Sequence, residues 1–361
     1  MMSRAGHATL DTSWFSKYRD RSPALLEPVG LTKLATDEVS RHAVRLVTIG
    51  RTSDSITLHP FASLPQLLRR GDLVVVNDAA TLPGSLSGRT ADGRELELRL
   101  SGPIDGNRMF GVLLGAGDYH TPTEHRAAPP ALVVGDRISI GSSIDAVVAS
   151  VAGRRVELVA QLDGDALWQQ IYAAGRPIQY AHRHDPLPLW SVQTAYAARP
   201  WAAEMPSAGR PLTWDVLLGL RRAGVQIVSL THAAGLSSTG DDGLDRALPW
   251  PERYQIPLRT ADAIIETHAH GGRVIAIGTT VVRALEASRG MAGSGIATGR
   301  LDARSRLTVV DGLVSGLHVP GESHFDLLSA FAPAPRLARA IDIAAEAGLS
   351  GHELGDACLI V

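Results

Sequence analysis

The stretch GGRVIAIGTTVVRALE, residues 271–286, predicts a buried strand that turns directly into a helix. Val274 to Ile277 is an unbroken apolar run with β-branched residues, which is typical of a strand covered on both faces. Gly278 permits a tight turn, and Thr279 or Thr280 can cap the following helix. The stretch therefore indicates an α/β protein built from strand–helix units.

The start of this helix is also a candidate ligand site. Free backbone N–H groups at a helix N-terminus converge on one point and favour an anionic group there. Arg283, one turn into the helix, can add positive charge to such a site. The same cap chemistry serves helices that bind nothing, so an ordinary strand–helix connection stays open as the alternative.

Composition and charge describe a globular protein. The chain has 361 residues, of which 45% are hydrophobic and 20% charged, and its formal net charge is −2. This balance gives no indication of a general basic surface for nucleic acid. Cys358 is the only cysteine, which excludes an intrachain disulfide and a zinc–cysteine cluster. Because no 18-residue apolar run and no signal-peptide pattern occur, we expect a cytoplasmic enzyme without membrane contact.

Two patterns of hydrophobicity divide the chain. From about residue 86 to 160, short alternating segments such as Glu95 to Leu100 are separated by Gly and Asp-Gly turns, which predicts a small all-β barrel module. After residue 165 helices and strands alternate, which favours a mainly parallel sheet covered by helices. We therefore expect a discontinuous α/β catalytic domain, residues 1–85 and 161–361, with the barrel module, residues 86–160, inserted into it.

Some element boundaries follow from caps and apolar runs. We expect loops and a short helix in residues 1 to about 40. Thr213 is placed to cap a helix from Trp214 to Arg222, and a strand from Val225 to Leu230 follows it. Thr260 is placed in the same way to cap a helix from Ala261 to His270.

Polar or small residues follow four of the predicted strands. Ligands of open α/β sheets bind beyond the carboxyl ends of the strands, so these places are candidate ligand contacts. A fifth segment, Glu204 to Gly209, is small enough to lie against a planar ligand. We expect all five to border one cleft. The strand-end residues are Asn77-Asp78, Thr231-His232, Gly278-Thr279-Thr280 and His318.

The histidines allow more than one interpretation. His318 can act as a general acid or base near neutral pH, or it can be a hydrogen-bonded structural histidine near a strand end. His268 and His270 stand two apart on a predicted helix and do not face each other. His182 and His184 lie in a proline-bounded loop, where a metal site is an alternative, but we expect no metal. Walker, dinucleotide-fingerprint and nucleophile-elbow motifs are absent from the sequence.

Five blocks of the sequence resemble the S-adenosylmethionine:tRNA ribosyltransferase-isomerase family of the queuosine pathway. They occur in the family's order, and the similarity spans roughly residue 40 to the C-terminus. Gly272–Glu286 is the most specific match, since it is close to the family's Gly-Arg-Val-Ile-Ala-Val-Gly-Thr-Thr-Ser-Val-Arg-Thr-Leu-Glu. The family's architecture, an α/β domain with an inserted small β-barrel, is similar to the one expected above. The other blocks are Asp72–Leu86, Pro206–Thr213, His318–Phe331 and Gly355–Ile360.

The chain departs from the family pattern at cationic positions, which implies a divergent paralogue. Ala80 and Ser85 stand where the first block has arginines. Arg210 and its neighbours replace a segment that contains a histidine, and Ala233 replaces another histidine, with His232 one place earlier. In the block that contains His318 and Pro320, the lysine is lost and Glu322 appears.

The resemblance implies a transferase-isomerase. Such an enzyme moves the ribosyl part of S-adenosylmethionine onto a 7-aminomethyl-7-deazaguanine base in tRNA, gives epoxyqueuosine, and releases adenine and methionine. S-adenosylmethionine is then the co-substrate and tRNA the partner. Two alternatives stay open, a paralogue that uses a small-molecule acceptor and a non-catalytic paralogue that binds S-adenosylmethionine or RNA.

This chemistry assigns expected roles to the matched residues. A base must take a proton beside the sulfonium, and His318 and Asp78 are the catalytic candidates. Glu204, Tyr196 and Trp201 lie in the right part of the chain to face the sulfonium. The cofactor-binding candidates are Asn77, Pro206, Ser207, Ala208, Gly209, Gly278, Thr279, Thr280 and Arg283. The substrate-binding candidates are Arg210, Thr213, His232, Pro320 and Ser323.

Overall fold

The computed structural model describes residues 40–351 and 354–361, which form a nine-stranded sheet, a closed six-stranded barrel and a two-stranded ribbon. The expectation for residues 1 to about 40 lies almost wholly outside the described residues. The strands are β1 (Arg45–Ile49), β2 (Ile56–Pro60), β3 (Leu73–Asn77), β4 (Ala79–Thr81), β5 (Ser85–Thr90), β6 (Glu95–Leu100), β7 (Arg108–Gly115), β8 (Arg137–Ile140), β9 (Ile144–Ala152), β10 (Arg155–Ala160), β11 (Arg199–Ala202), β12 (Gln226–His232), β13 (Glu252–Ile256), β14 (Val274–Ile277), β15 (Gly293–Ala297), β16 (Gly312–Gly316) and β17 (Ala357–Ile360).

Eight α-helices of the described residues connect and cover these strands. Short 3-10 turns at Phe61–Ser63, Thr123–His125, Leu189–Val192 and Ser207–Gly209 complete the regular structure. The helices are α1 (Leu64–Leu67), α2 (Gly164–Ala174), α3 (Trp214–Arg222), α4 (Asp242–Arg246), α5 (Leu258–Ala269), α6 (Thr279–Ser288), α7 (Ser323–Leu328) and α8 (Ala334–Glu346).

The large sheet has a parallel centre and mixed edges. Its strand order is β15-β13-β12-β3-β14-β16-β17-β1-β2. β12, β3, β14 and β16 are parallel to one another, whereas β17 is antiparallel to β16 and both outer edges carry antiparallel pairs. The predicted α/β class is confirmed, and the sheet as a whole is mixed rather than mainly parallel.

Helices cover both faces of the sheet, as the continuous apolar strands predicted. Leu73 and Val75 of β3 face a core formed with α5, α6 and α8. Val74 and Val76 of the same strand face a second core formed with α1 and α3. Successive side chains of a strand point to opposite faces, so a strand between two helical layers has to be apolar throughout.

The barrel closes in the order β10-β7-β6-β5-β8-β9, with antiparallel pairs throughout. Leu86, Leu98 and Leu113 are among the buried residues that fill its interior. In the chain the barrel lies between β4 and α2. The expected small β-barrel is therefore present, and the division of the chain into domains stays a prediction.

Two helix starts illustrate the limits of the cap predictions. Thr213 occupies the N-cap position of α3, although its side chain makes no capping hydrogen bond. α5 begins at Leu258, three residues before the predicted first helical residue Ala261, with Pro257 at its N-cap. Thr260 is therefore inside the helix, and its hydroxyl donates to the Ser229 carbonyl oxygen at 2.7 Å. The predicted cap residue Thr260 instead links α5 to β12 through this hydrogen bond.

Candidate active site

A cleft of about 1090 Å³ opens at the carboxyl ends of the parallel strands. Strand-end residues from β3, β14 and β16 meet there, together with the Pro206–Gly209 segment and a barrel loop at Pro122–Glu124. Four of the five places expected to border one cleft contribute to its lining, and Thr231-His232 does not. Of the candidate site residues, the lining contains Asn77, Pro206, Ser207, Ala208, Gly209, Gly278, Thr279, Thr280, Arg283, His318 and Ser323.

The turn between β14 and α6 forms one wall of the cleft. Gly278 has φ +93° and ψ 152°, a conformation that essentially only glycine adopts. Its N–H donates to the Val314 carbonyl oxygen of β16 at 2.8 Å, which fixes the turn. A Cβ at this position would lie 3.6 Å from the Cβ of Ala208, so the Pro206–Gly209 segment lies directly beside the N-terminus of α6.

Tyr196 lies close to the same segment. A Cβ on Gly209 would come within 2.2 Å of the Tyr196 hydroxyl oxygen, so only glycine permits this approach. Burial, with the nearby Asp78 carboxylate, raises the pKa of Tyr196 above its usual range. Tyr196 therefore stays a neutral phenol in the cleft wall.

His318 forms a pair with an acid that the resemblance did not predict. Its Nδ1 lies 3.1 Å from Oε2 of Glu322, one turn further along the chain. The His324 ring stacks on the His318 ring with centroids 4.6 Å apart and an interplanar angle of 13°. Desolvation lowers the pKa of His324 to about 3, so this ring is neutral at pH 7. Glu322 is thus the carboxylate partner of the His318 ring in the cleft.

Glu204 supplies a carboxylate on another part of the lining. It accepts hydrogen bonds from the Tyr180 hydroxyl, from the Ser237 N–H at 2.8 Å and from the Ser237 hydroxyl at 3.2 Å. Burial raises the pKa of Glu204. A desolvated carboxylate of this kind has a strong preference for a cationic neighbour.

Arg283 lines the cleft, but its charge is already paired. Its guanidinium donates to Glu252 and to the Trp250 carbonyl oxygen at 3.2 Å, and both side chains of the ion pair are less than 10% exposed. Burial raises the pKa of Glu252. Arg283 thus holds the start of β13 against α6, which leaves the α6 N–H groups as the anion-binding feature of this wall.

Five candidate residues do not line the cleft. β4 begins directly after Asp78, and the Asp78 carboxylate accepts hydrogen bonds from Ser229 at 2.8 Å and Thr231 at 2.6 Å. Arg210 is 2% exposed, so its charge does not reach the cleft mouth. Thr213 is the N-cap position of α3, and Pro320 adjoins the lining residue Gly321 without being part of the lining.

His232, the fifth, is completely buried behind the cleft wall. β12 continues to His232, two residues beyond the predicted end, and pairs there with Tyr254 of β13. Its Nε2 lies 3.5 Å from Glu252 Oε2. Burial lowers the pKa of His232 to about 3, so the ring is uncharged. Because the strand is longer than predicted, the side chain lies in the interior rather than in the cleft.

The lining has an excess of acidic side chains. Seven carboxylates and three guanidinium groups line the cleft, which leaves a formal surplus of four negative charges. Tyr180, His324 and Glu252 were not among the expected site residues, and each stands outside the strand-end pattern from which the cleft was predicted. The carboxylates belong to Glu124, Glu204, Asp242, Asp245, Glu252, Glu322 and Asp326, and the guanidinium groups to Arg246, Arg283 and Arg300.

Within residues 40–351 and 354–361, no group of three or more His, Cys, Asp or Glu side chains is placed to hold a metal ion. His182 lines the cleft, whereas His184 does not. No helix of the same described residues has the length and apolar character needed to cross a membrane.

The fold and the cleft define an α/β protein with an inserted barrel and a ligand site at the carboxyl ends of its parallel strands. A family model described as queuosine biosynthesis protein matches residues 32–360. The chain belongs to this family, and the resemblance stated from the sequence is confirmed.

Two relatives of the same name support the assignment to an enzyme family. S-adenosylmethionine:tRNA ribosyltransferase-isomerase of Sorangium cellulosum is 33% identical, over 87% of this chain and 91% of the relative. The Thermus thermophilus protein of the same name is 31% identical, over 89% of this chain and 93% of the relative. The crystal structure of S-adenosylmethionine tRNA ribosyltransferase from Thermotoga maritima is 22% identical, covers 91% of this chain and 96% of its own, and has a TM-score of 0.49.

Proposed function

We propose that this protein transfers and isomerises the ribosyl part of S-adenosylmethionine onto the amine of a 7-aminomethyl-7-deazaguanine base in tRNA. The product is epoxyqueuosine in the tRNA, and adenine and methionine are released. Membership of the queuosine biosynthesis family and the names of the relatives support this reaction. Those names give no support to the alternatives of a small-molecule acceptor and a non-catalytic paralogue.

The acidic surplus of the cleft is the observation that carries the proposal. S-adenosylmethionine brings a sulfonium and an ammonium group, and the acceptor brings an amine. Carboxylates within a few ångströms stabilise such cations, more strongly where water is excluded. At about 1090 Å³ the cleft is at the upper end of the usual range for ligand sites, about 300–1,000 Å³, which supports binding of the co-substrate together with the acceptor base.

Each part of the co-substrate has a matching wall. The N–H groups at the start of α6, beside Thr279 and Thr280, suit the methionine carboxylate. The Ser207–Gly209 turn, with the neutral Tyr196 phenol against it, offers a flat surface for adenine. Glu204 is the carboxylate that we assign to the sulfonium.

His318 is the group that we assign as the base. Its imidazole takes a proton from the carbon beside the sulfonium, and Glu322 stabilises the imidazolium that results. The deprotonated carbon bonds to the carbon that adenine leaves, so the ribose ring opens and a carbocycle closes, and adenine departs with one proton. The acceptor amine forms its C–N bond at the carbon that the ring oxygen leaves and gives up one proton. The freed oxygen displaces methionine, which takes the electron pair of the C–S bond, and closes the epoxide. Asp78 has no part in this assignment because its carboxylate is turned toward β12.

Replacement of the proposed base tests the function. His318→Ala should lower the rate of adenine and methionine release by about 10²–10⁴-fold, the usual contribution of a general base. The assay is mass spectrometry of both products, with and without an anticodon stem-loop that carries the 7-aminomethyl-7-deazaguanine base.

His270→Ala is the matched control. His270 is exposed at the far end of α5, where its Nδ1 contacts only the Glu266 carbonyl oxygen. Product release by the unaltered protein that does not depend on the stem-loop would contradict the tRNA acceptor. Equal rates for the two variants would contradict the assignment of His318.

A further inference from the structure

Two exposed arginines share one tryptophan near the cleft. The guanidinium carbon of Arg253 lies 4.5 Å from the centroid of the Trp201 ring, and that of Arg199 lies 5.8 Å from it. Both arginine side chains are exposed, and the indole is half-buried. Cation–π contact of this kind restricts the arginine rotamers without neutralising their charge.

Neither charge has an acidic partner within the part of the chain that the structure describes. Among residues 40–351 and 354–361, no carboxylate lies within ion-pair distance of Arg199 or Arg253. Arg199 donates a hydrogen bond to the side-chain amide oxygen of Gln255, which is uncharged. Two positive charges are thus held side by side and available to an anion from solution. We call Arg199, Trp201 and Arg253 the arginine–tryptophan surface.

This surface adjoins the cleft. Trp201 packs with Ala79, Ala202 and Ala234, and Ala234 is part of the cleft lining. Arg253 follows Glu252, another lining residue, and points to the opposite side of β13 because successive strand residues alternate. Trp201 therefore packs against a lining residue, and Arg253 lies on the face of β13 opposite to the lining side chain of Glu252.

A second arginine–indole contact lies close by. The Arg155 guanidinium carbon, on barrel strand β10, is 4.9 Å from the Trp250 ring centroid. Trp250 precedes Arg253 by three residues, so their Cα atoms are at most about 11 Å apart. Arg155 is exposed and extends the positive charge toward the barrel.

The distribution of charge on the protein gives different places to the reacting groups and to the phosphates of an RNA substrate. The cleft carries a surplus of carboxylates, which attracts the cationic reacting groups and repels phosphates. Phosphates on either side of the acceptor base need positive charge outside the cleft but within reach of it. We propose that the arginine–tryptophan surface, with Arg155 beside it, holds the RNA phosphates that flank the acceptor nucleotide. This inference rests on the proposed function and gives its RNA a place on the protein.

Salt dependence of RNA binding tests the surface. Each phosphate contact to single-stranded RNA adds about 0.7 to the slope of log K against log salt. The double variant Arg199→Gln/Arg253→Gln should therefore reduce that slope by about 1.4 and weaken binding at low salt. The probe is the anticodon stem-loop with the 7-aminomethyl-7-deazaguanine base, measured by fluorescence anisotropy across a salt series.

The matched control is Arg221→Gln/Arg222→Gln. Both are exposed in the last turn of α3, at the opposite end of the sheet from the cleft, and the variant removes the same charge. It should leave the RNA slope unchanged, and neither double variant should change the affinity for S-adenosylmethionine.

The outcomes separate the surface from the function. The unaltered protein and both double variants could show equal salt slopes while the stem-loop is still bound and processed. That result would overturn the proposal that the arginine–tryptophan surface holds RNA phosphates, and the proposed function would still stand. If the unaltered protein neither binds the stem-loop nor releases adenine with it, the proposed function fails and the surface with it.

Discussion

At the residue scale, we expect Glu204 to distinguish the sulfonium co-substrate from its thioether analogue. Burial raises its pKa, so its ionised form gains from any cation placed beside it. Glu204→Gln keeps the side-chain shape and removes the charge. We expect the variant to bind S-adenosylmethionine about tenfold more weakly, about 1.4 kcal/mol, while binding of the thioether S-adenosylhomocysteine stays unchanged. Isothermal titration of both ligands measures the difference.

A charge-matched control is available on the barrel side of the cleft. Glu124 also lines it but is exposed, so water screens its charge. Glu124→Gln should leave both affinities unchanged. An equal loss of affinity for sulfonium and thioether with Glu204→Gln would mean that Glu204 does not read the sulfonium charge.

His232 makes the protein less stable in acid. Its pKa is about 3 in the folded protein, against about 6.5 for a histidine side chain in water, so the unfolded chain binds the proton first as the pH falls. The stabilisation that the uncharged His232 ring gives to the folded protein is complete above pH 6.5 and is lost progressively toward pH 3. At pH 5 the loss amounts to about 2 kcal/mol of unfolding free energy.

His232→Leu removes this titration with little change of volume, and neither ring nitrogen of His232 makes a hydrogen bond. Between pH 7 and pH 5, the variant should lose about 2 kcal/mol less unfolding free energy than the unaltered protein. Urea denaturation at pH 7 and at pH 5 measures the unfolding free energy of the variant and of the unaltered protein. The other buried groups titrate in both proteins, so the comparison isolates His232. Parallel losses would show that His232 is protonated in the folded state.

At the scale of elements, the β14–α6 junction depends on the backbone of Gly278. A Cβ at this position meets only ordinary contacts at 3.6 Å, so the cost of a side chain is conformational rather than steric. Gly278→Ala should destabilise the protein by about 1–3 kcal/mol and shift the N–H groups of α6 away from the ligand. Chemical denaturation and S-adenosylmethionine titration test the two effects.

Gly102 provides the comparison for that substitution. Its φ is not in the left-handed region, and no heavy atom lies within 4 Å of an added Cβ. Gly102→Ala should therefore leave stability and ligand affinity close to those of the unaltered protein. Similar stability of the two variants would mean that the junction tolerates a side chain.

At the scale of the whole molecule, local patterns predicted the elements better than their partners. The run Val274 to Ile277 is β14, and α6 starts at Thr279, because a buried strand and a Gly turn leave local signals. β17 is antiparallel to β16 and parallel to β1, and nothing in its own residues determines either direction. The mixed sheet follows from these long-range pairings.

The candidate site shows the same difference between what local sequence patterns predict and what long-range packing determines. The positions of the strand ends predicted where the ligand contacts converge. The rule that ligands bind beyond the carboxyl ends of the strands depends on topology alone. It failed to place Asp78 and His232, whose orientation depends on where β4 begins and where β12 ends. Glu322 was visible in the sequence as a departure from the family pattern, but its contact with His318 required the geometry of the loop before α7.

The position of β17 in the sheet determines the order in which the protein can assemble during synthesis. All six barrel strands lie between residues 85 and 160, so the barrel can close once this segment has left the ribosome. β1 and β2 join the sheet only through β17, whose residues are made some 300 positions later. Until then β1 has a strand on one side only, its hairpin partner β2, and a folded barrel is joined to an unfinished sheet. Among the described strands, β1 and β2 are thus the first to be made and among the last to join the sheet, and we expect the exposed edge of β1 to favour aggregation until β17 joins it.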